Sequence, residues 1–363
     1  MCKKIFIAAT GQNCGKTTTS VSLLHLARKK YPRVGFIKPF GPKRMTYLGR
    51  SVDVDAALMA HVYDMEDKLE LMSPVVLDPY TTRDFLENRK DPQVYLDKIV
   101  KAVETLEKEC DFLIIEGAGH SGVGSVMGMN NAQLASWLEA PVLMVTGAGV
   151  GNVIDVVHLN LALFKEFGTE VRMILPNKLV KNKRKKTLKY IEYAFEDTDI
   201  KVVGGFNYSP ILADPTLKYL AELLELDLHG PKEQGSRIVH NVQLAAPATQ
   251  RVVDLLQESS LVIVTSSRDE VLVMLSTLYH LPEYKKKIAG LIIVGVAPVA
   301  DIVQRVIDDS DIPYIRTEAT TAEVYTRIRE DVAKIGVDDE EKIQLIQRLA
   351  ESELDFDLID SIF

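Results

Sequence analysis

Thr10-Gly11-Gln12-Asn13-Cys14-Gly15-Lys16-Thr17-Thr18 decides the fold through what stands on either side of it. Before it runs Ile5-Phe6-Ile7-Ala8-Ala9, a short apolar stretch that reads as a buried strand; after it, Ser20-Val21-Ser22-Leu23-Leu24-His25-Leu26-Ala27 has helical spacing. Strand, glycine-bearing loop and helix in that order are the context in which Gly15-Lys16-Thr17 signals a phosphate loop. Glycine lets the backbone close around an anion, and the N–H groups at the helix start point at it with the helix dipole behind them. Gly11, Asn13, Cys14, Gly15, Lys16, Thr17 and Thr18 are therefore the candidate nucleotide contacts, with Lys16 reaching the β/γ-phosphates and Thr17 on Mg²⁺. The first glycine of the motif falls at position 10, which holds Thr10, and Gly11 comes one residue late. A plain glycine-rich turn would leave Lys16 and two threonines unexplained.

With 363 residues the chain is long for one core of ordinary size, so two domains are expected. Hydrophobic residues make up 47% and charged residues 26%, the balance of a soluble globular protein. The net charge of −8 offers no global footprint for nucleic acid and suits a protein that handles small anions at one local positive site. The three cysteines, Cys2, Cys14 and Cys110, form no C-x-x-C pair, so no zinc or disulfide framework is suggested. A strand begins almost at the first residue, which predicts no secretory leader, and no apolar run approaches membrane-spanning length. The expected location is the cytoplasm, with no membrane partner.

Val34-Gly35-Phe36-Ile37-Lys38-Pro39 reads as a second strand that leaves Lys38 at its carboxyl edge, where open α/β sheets bind ligands. A helix start follows near Ser51-Val52-Asp53-Val54-Asp55, with Asp53 as an N-cap and Asp55 either a surface acid or a carboxylate aimed at Mg²⁺. Residues 91–109 have the pattern of an amphipathic helix. Asp111-Phe112-Leu113-Ile114-Ile115-Glu116-Gly117-Ala118-Gly119 is an apolar strand ending in an acid, the arrangement that sets a carboxylate beside a phosphate loop to hold Mg²⁺. His120 has no evident partner. Gly147 to Asn152 form a second glycine-rich turn ahead of a helix at about 153–167. Val171–Leu175 leads to Asn177-Lys178, where an amide suits an adenine edge and a lysine stem suits its ring. The basic run from Lys181 to Lys189 reads as a solvated helix face.

The stretch 226–237 carries Gly230-Pro231 and no strong periodicity, so it is expected to link a first domain of 1–225 to a second of 238–363. Strands are expected there at 238–242, 261–265, 288–294 and 313–315, with helices between and an acidic helical tail from Asp338. Ser266-Ser267-Arg268-Asp269 is either an N-capping turn or a ligand site. The expected fold class is α/β: a P-loop NTPase-type, doubly wound, mostly parallel sheet with a second, smaller α/β domain.

Taken in order, the loop, Lys38-Pro39, Asp55, Glu116-Gly117-Ala118-Gly119 and Asn177-Lys178 make residues 1–225 resemble dethiobiotin synthetase. The likeness is nearer still to the dethiobiotin-synthetase-like domain at the front of long bacterial phosphotransacetylases. It rests on Thr10-Gly11, Val34 to Pro39 and Pro74-Val75-Val76-Leu77. Residues 238–350 look like the DRTGG domain that follows that module, with Ser267-Arg268-Asp269 the nearest trace of its motif.

The resemblance implies ATP and Mg²⁺ as cofactors. It implies that Lys16 and Lys38 contact phosphate or a forming acyl-phosphate, that Thr17, Asp55 and Glu116 surround Mg²⁺, and that Asn177 reads adenine. It also implies a homodimer with its sites near the subunit interface. Pro39-Phe40-Gly41-Pro42 lacks the small hydroxyl residue of the synthetase, and Gln12 and Asn13 replace a threonine and an acid, so the acceptor, a small-molecule acid or amine, is left open. The related cobyrinic-acid amidating enzymes add a glutaminase, but all three cysteines here precede residue 111, which argues against glutamine-driven amidation. No phosphotransacetylase catalytic domain is expected in these residues. Two readings follow: a nucleotide-dependent regulatory or accessory protein, or an ATP-dependent carbon-nitrogen ligase that phosphorylates a carboxylate or carbamate.

Overall fold

The apolar run becomes β1 (Lys3–Ala9), with Ile5 to Ala9 wholly shielded from solvent. The computed structural model of the chain describes residues 2–88, 90–331 and 333–362 and sets β1 inside a sheet. Parallel to it run β2 (Val34–Ile37), β5 (Phe112–Glu116), β6 (Val142–Thr146), β7 (Val171–Pro176) and β8 (Lys201–Val202). The order is β2-β5-β1-β6-β7-β8. Strands buried on both faces read as near-continuous Val/Ile/Leu runs, which is how β5, β6 and β7 are composed. This is the doubly wound parallel sheet that the sequence predicts.

β1 pairs with β5 from Lys3 opposite Phe112 to Ile7 opposite Glu116, so the phosphate loop and Glu116 leave the sheet at the same edge. From β1 the chain crosses to one side of the sheet, and from β5 to β6 it crosses to the other. The strand order therefore reverses beside β1, where open α/β sheets form a crevice. The Lys16–Lys30 helix packs on β1, β2 and β5 through a buried face that includes Val21, Leu23, Leu24 and Ala27. Phe6, Ile37, Leu113 and Met144 share a core with Ile99 and Leu106 of the Gln93–Glu109 helix and with Val157 and Phe164 of the Val150–Glu166 helix.

Ser51 to Asp53 depart from expectation. They belong to a hairpin, β3 (Arg44–Tyr47) with β4 (Arg50–Asp53), and the helix starts only at Val54. Asp53 is its N-cap, accepting from the Asp55 N–H at 2.9 Å.

Two compact bodies divide the chain, but not where composition suggests. The first runs to Tyr208 and resumes at Glu340; the second is Ser209–Asp339. Residues 209–225 join the second body because the Leu217–Leu224 helix buries Leu217, Leu220 and Leu224 in its core. The expected linker contains β9 (Leu228–His229) and a turn at Lys232–Ser236. The segment from Glu340 is no tail: the Glu340–Glu353 helix packs on the Lys16–Lys30 helix and buries Ile343, Ile346 and Ala350. Lys3 and Lys30 then pair with Asp360 at 2.7 and 2.9 Å.

In the second body β10 (Asn241–Leu244), β11 (Ser260–Thr265), β12 (Ile288–Val294) and β13 (Tyr314–Thr317) run parallel in that order, with β9 antiparallel beyond β13. The strand expected at 238–242 is displaced to β10. Val252, Leu272 and Ile307 cover one face of the sheet and Leu217, Leu220 and Val324 the other.

Candidate functional site

The phosphate loop leaves β1 at Thr10, whose hydroxyl donates to Thr146 Oγ1 at the end of β6 at 3.2 Å. The threonine that stands where the motif has glycine thus ties the loop to the neighbouring strand. Asn13 is left-handed at φ 54°, a conformation that Asn tolerates better than most residues. Gly15 is left-handed at φ 105°, and a Cβ there would lie 2.0 Å from Asn177 Nδ2, so position 15 is closed to a side chain. The Lys16–Lys30 helix starts at once, with the Thr18 side chain buried in its first turn. Lys16 Nζ donates to the Gly119 carbonyl, in the loop that follows Glu116.

Lys38, Asp55 and Glu116, far apart in sequence, meet below this loop. Lys38 Nζ lies 2.8 Å from Asp55 Oδ2 and 2.7 Å from Glu116 Oε1, and it donates to the Gly117 carbonyl at 3.3 Å. All three residues are buried. Burial alone would lower the Lys38 ammonium, but the charges of Asp55, Glu116 and Asp53 outweigh it and hold the group above its ordinary value. Thr17 Oγ1 donates to Asp55 Oδ1 at 3.0 Å and Ser20 Oγ to Glu116 Oε2 at 2.5 Å. One threonine hydroxyl and two carboxylates, joined through one ammonium, make an all-oxygen donor set suited to a hard cation such as Mg²⁺. Among the described residues no cluster of three His, Cys, Asp or Glu side chains offers a richer metal site.

An AAA-domain profile matches residues 3–216, well over half of the chain, and a DRTGG-domain profile matches residues 221–330. The chain belongs to the AAA-domain family. A phosphate acetyltransferase of Acinetobacter baylyi is 23% identical over a 384-residue alignment covering 97% of this chain and 51% of the relative. An ATP-dependent dethiobiotin synthetase of Thermodesulfovibrio yellowstonii is 26% identical over 159 residues, 41% of this chain and 65% of that protein. A probable cobyric acid synthase of Methanococcus maripaludis is 25% identical over 240 residues, 59% of this chain and 47% of that protein. The chain thus spans about half to two thirds of the length of these relatives. The resemblances drawn from the motifs stand: a P-loop body of the dethiobiotin synthetase type, followed by a DRTGG domain.

Asn177, at the carboxyl end of β7, reaches the phosphate loop. Its Nδ2 donates to the Cys14 carbonyl at 2.8 Å and its Oδ1 accepts from the Lys178 N–H at 2.7 Å, so both ends of the amide are engaged by the chain itself. Gly11 lies against Cys14, where a Cβ would meet the sulfur at ordinary contact distance. His120, without an evident partner in sequence, accepts the Gly122 N–H at 3.2 Å on Nδ1.

Sequence reasoning passed over Ser20 and Asn131. Ser20 follows Thr17 by three positions, and that spacing places both on one helix face. Asn131 is fully buried: its Nδ2 donates to the Ala118 and His120 carbonyls, both at 2.7 Å, and its Oδ1 accepts from the Ala118 N–H at 3.1 Å. It holds the glycine-rich loop after Glu116 in place. Nothing in the sequence near Asn131 signals that role, because its partners lie more than ten residues upstream.

In the DRTGG body no side chain of Ser266 to Asp269 caps the helix that follows. Arg268 Nη1 donates to the Ala245 carbonyl at 2.7 Å and Nη2 to the Pro247 carbonyl at 3.2 Å, while Nε pairs with Glu270 at 2.7 Å. The guanidinium staples two loops together, and Asp269 and Glu270 fill the first turn of the following helix, which disfavours an anion there. Among the described residues no helix is long and apolar enough to cross a membrane.

Proposed function

We propose that this chain is an ATP-binding P-loop protein whose bound nucleotide is read out as a regulatory or accessory signal. The observation that carries the reading is the buried Lys38–Asp55–Glu116 cluster set directly under Gly15-Lys16-Thr17. Loop N–H groups and Lys16 would take the polyphosphate, and Thr17, Asp55 and Glu116 would hold Mg²⁺, which supplies charge neutralisation when bound. Lys38 would then release at least one carboxylate and turn its ammonium to the terminal phosphate. The missing hydroxyl residue after Lys38 and the presence of a DRTGG body favour sensing over turnover.

The second reading, an ATP-dependent ligase acting on a carboxylate or carbamate, draws support from the same lysine. A buried ammonium beside the phosphate site is placed to stabilise charge developing on a transferred phosphoryl group. A homodimer is also proposed, on the resemblance to dethiobiotin synthetase. Light scattering tests it, and a monomer at working concentration rejects it.

Calorimetric titration with ATP and Mg²⁺, followed by ADP release with bicarbonate and candidate diamines, separates the two readings. Binding without stimulated release supports sensing; stimulated release supports the ligase. Lys16→Ala should abolish binding, and retained affinity overturns the phosphate-loop assignment. In a ligase, Lys38→Ala lowers turnover more than affinity.

A further inference from the structure

Two of the three cysteines meet at the end of β1 opposite the phosphate loop. Cys2, half-buried just ahead of β1, and Cys110, buried at the end of the Gln93–Glu109 helix, are free thiols whose Sγ atoms lie 3.0 Å apart. The sheet sets this contact. Lys3 N donates to the Asp111 carbonyl at 2.9 Å, and Lys3 stands in register with Phe112. On the other side Gly35 of β2 lies so close that a Cβ there would come 3.3 Å from Cys110 Sγ. The backbone on both sides of the pair is therefore fixed, and the sulfurs need close by only about 1 Å to reach the roughly 2.05 Å of an S–S bond.

We propose that Cys2 and Cys110 form a reversible disulfide, a modification site whose oxidant is a small disulfide of the glutathione type. The two sulfurs have different parts. Contact with Cys110 holds the Cys2 thiol below its ordinary value, while that contact and burial push Cys110 up. Cys2 is the sulfur that ionises and is reached from solvent. Its thiolate attacks one sulfur of oxidised glutathione, forming a mixed disulfide and releasing one glutathione thiolate, which takes up a proton. Cys110 then loses its proton to water and attacks Cys2 Sγ, expelling the second glutathione thiolate. Two protein thiols are oxidised and one glutathione disulfide is reduced to two thiols.

The bond would tie together the starts of the two strands whose far ends carry the phosphate loop and Glu116. It would close a loop of about 100 residues, the regime in which a crosslink constrains the unfolded chain strongly. Cys14, in the phosphate loop, lies outside the pair.

The test treats the full chain with oxidised glutathione, then counts thiols after unfolding, maps unreduced peptides by mass spectrometry and follows thermal unfolding. The expected result is a fall from three titratable thiols to one, a peptide linking Cys2 to Cys110, and a Tm rise of roughly 5–15 °C that a dithiol reductant reverses. Cys110→Ser should accumulate glutathione on Cys2 without the Tm rise, and Cys2→Ser should leave Cys110 unmodified. Unchanged thiols, glutathione persisting on Cys2 of the unsubstituted chain, or a link between two chains each overturn the proposal.

Discussion

The Asn177 amide donates to the Cys14 carbonyl at 2.8 Å, so the carboxyl end of β7 holds the phosphate loop from behind. Asn177→Ala removes that bond and leaves the carbonyl without its partner. The expected result is a roughly tenfold loss of ATP affinity, about 1.4 kcal/mol, with the fold retained. Isothermal titration checks it, and unchanged affinity would show that the loop holds its own shape.

Gly15→Ala meets two obstacles, the left-handed backbone at φ 105° and Asn177 Nδ2 at 2.0 Å from the new Cβ. In the Asn177→Ala background the second obstacle is gone, leaving a backbone cost of about 1–2 kcal/mol. The two substitutions should therefore combine to less than the sum of their separate effects on urea stability. Simple additivity would count against the contact.

Removing Lys38 leaves Asp55 and Glu116 buried with no ammonium between them. Lys38→Met should destabilise the first body by about 3–5 kcal/mol, and adding Asp55→Asn with Glu116→Gln should recover much of that loss. Because the folded-state ammonium is held above its ordinary value of 10.5, the contribution is complete below about that pH and fades as pH rises beyond it. Denaturation midpoints of the single and triple variants at pH 7 provide the check.

Asp360 titrates in the opposite sense. Burial alone would raise its carboxyl, but Lys3, Tyr31 and Lys30 together hold it at about 2, against an ordinary 3.8. Its contribution is therefore present above about pH 4 and lost as pH falls toward 2. The stability gap between the unsubstituted chain and Asp360→Asn should be widest at neutral pH and close by pH 2. A gap that persists at pH 2 would assign it to packing instead.

The legible features were those written over short spans. A strand, a loop and a helix lie consecutively around Gly15-Lys16-Thr17, and Glu116 ends an apolar strand. Residues whose partners are distant were opaque. The contacts of Asn131 and Ser20, and the bond from Asn177 to Cys14, depend on which backbone carbonyls and carboxylates the fold brings near, and no local pattern encodes that. The segment from Asp338 misled for the same reason. Its acidic composition reads as solvated, yet Ile343, Ile346 and Ala350 form an apolar stripe whose counterpart is the Lys16–Lys30 helix, over three hundred residues earlier.

That returning helix makes the second body an insertion within the first, and this orders events on the ribosome. At about 5–20 residues per second, the interval between synthesis of Tyr208 and of Glu340 is on the order of ten seconds. During that interval the second body is synthesised, while the flank of the Lys16–Lys30 helix waits uncovered for the segment that seals it. A chain truncated just before Glu340 would thus hold the whole of the second body and a phosphate-loop body that still exposes part of its core.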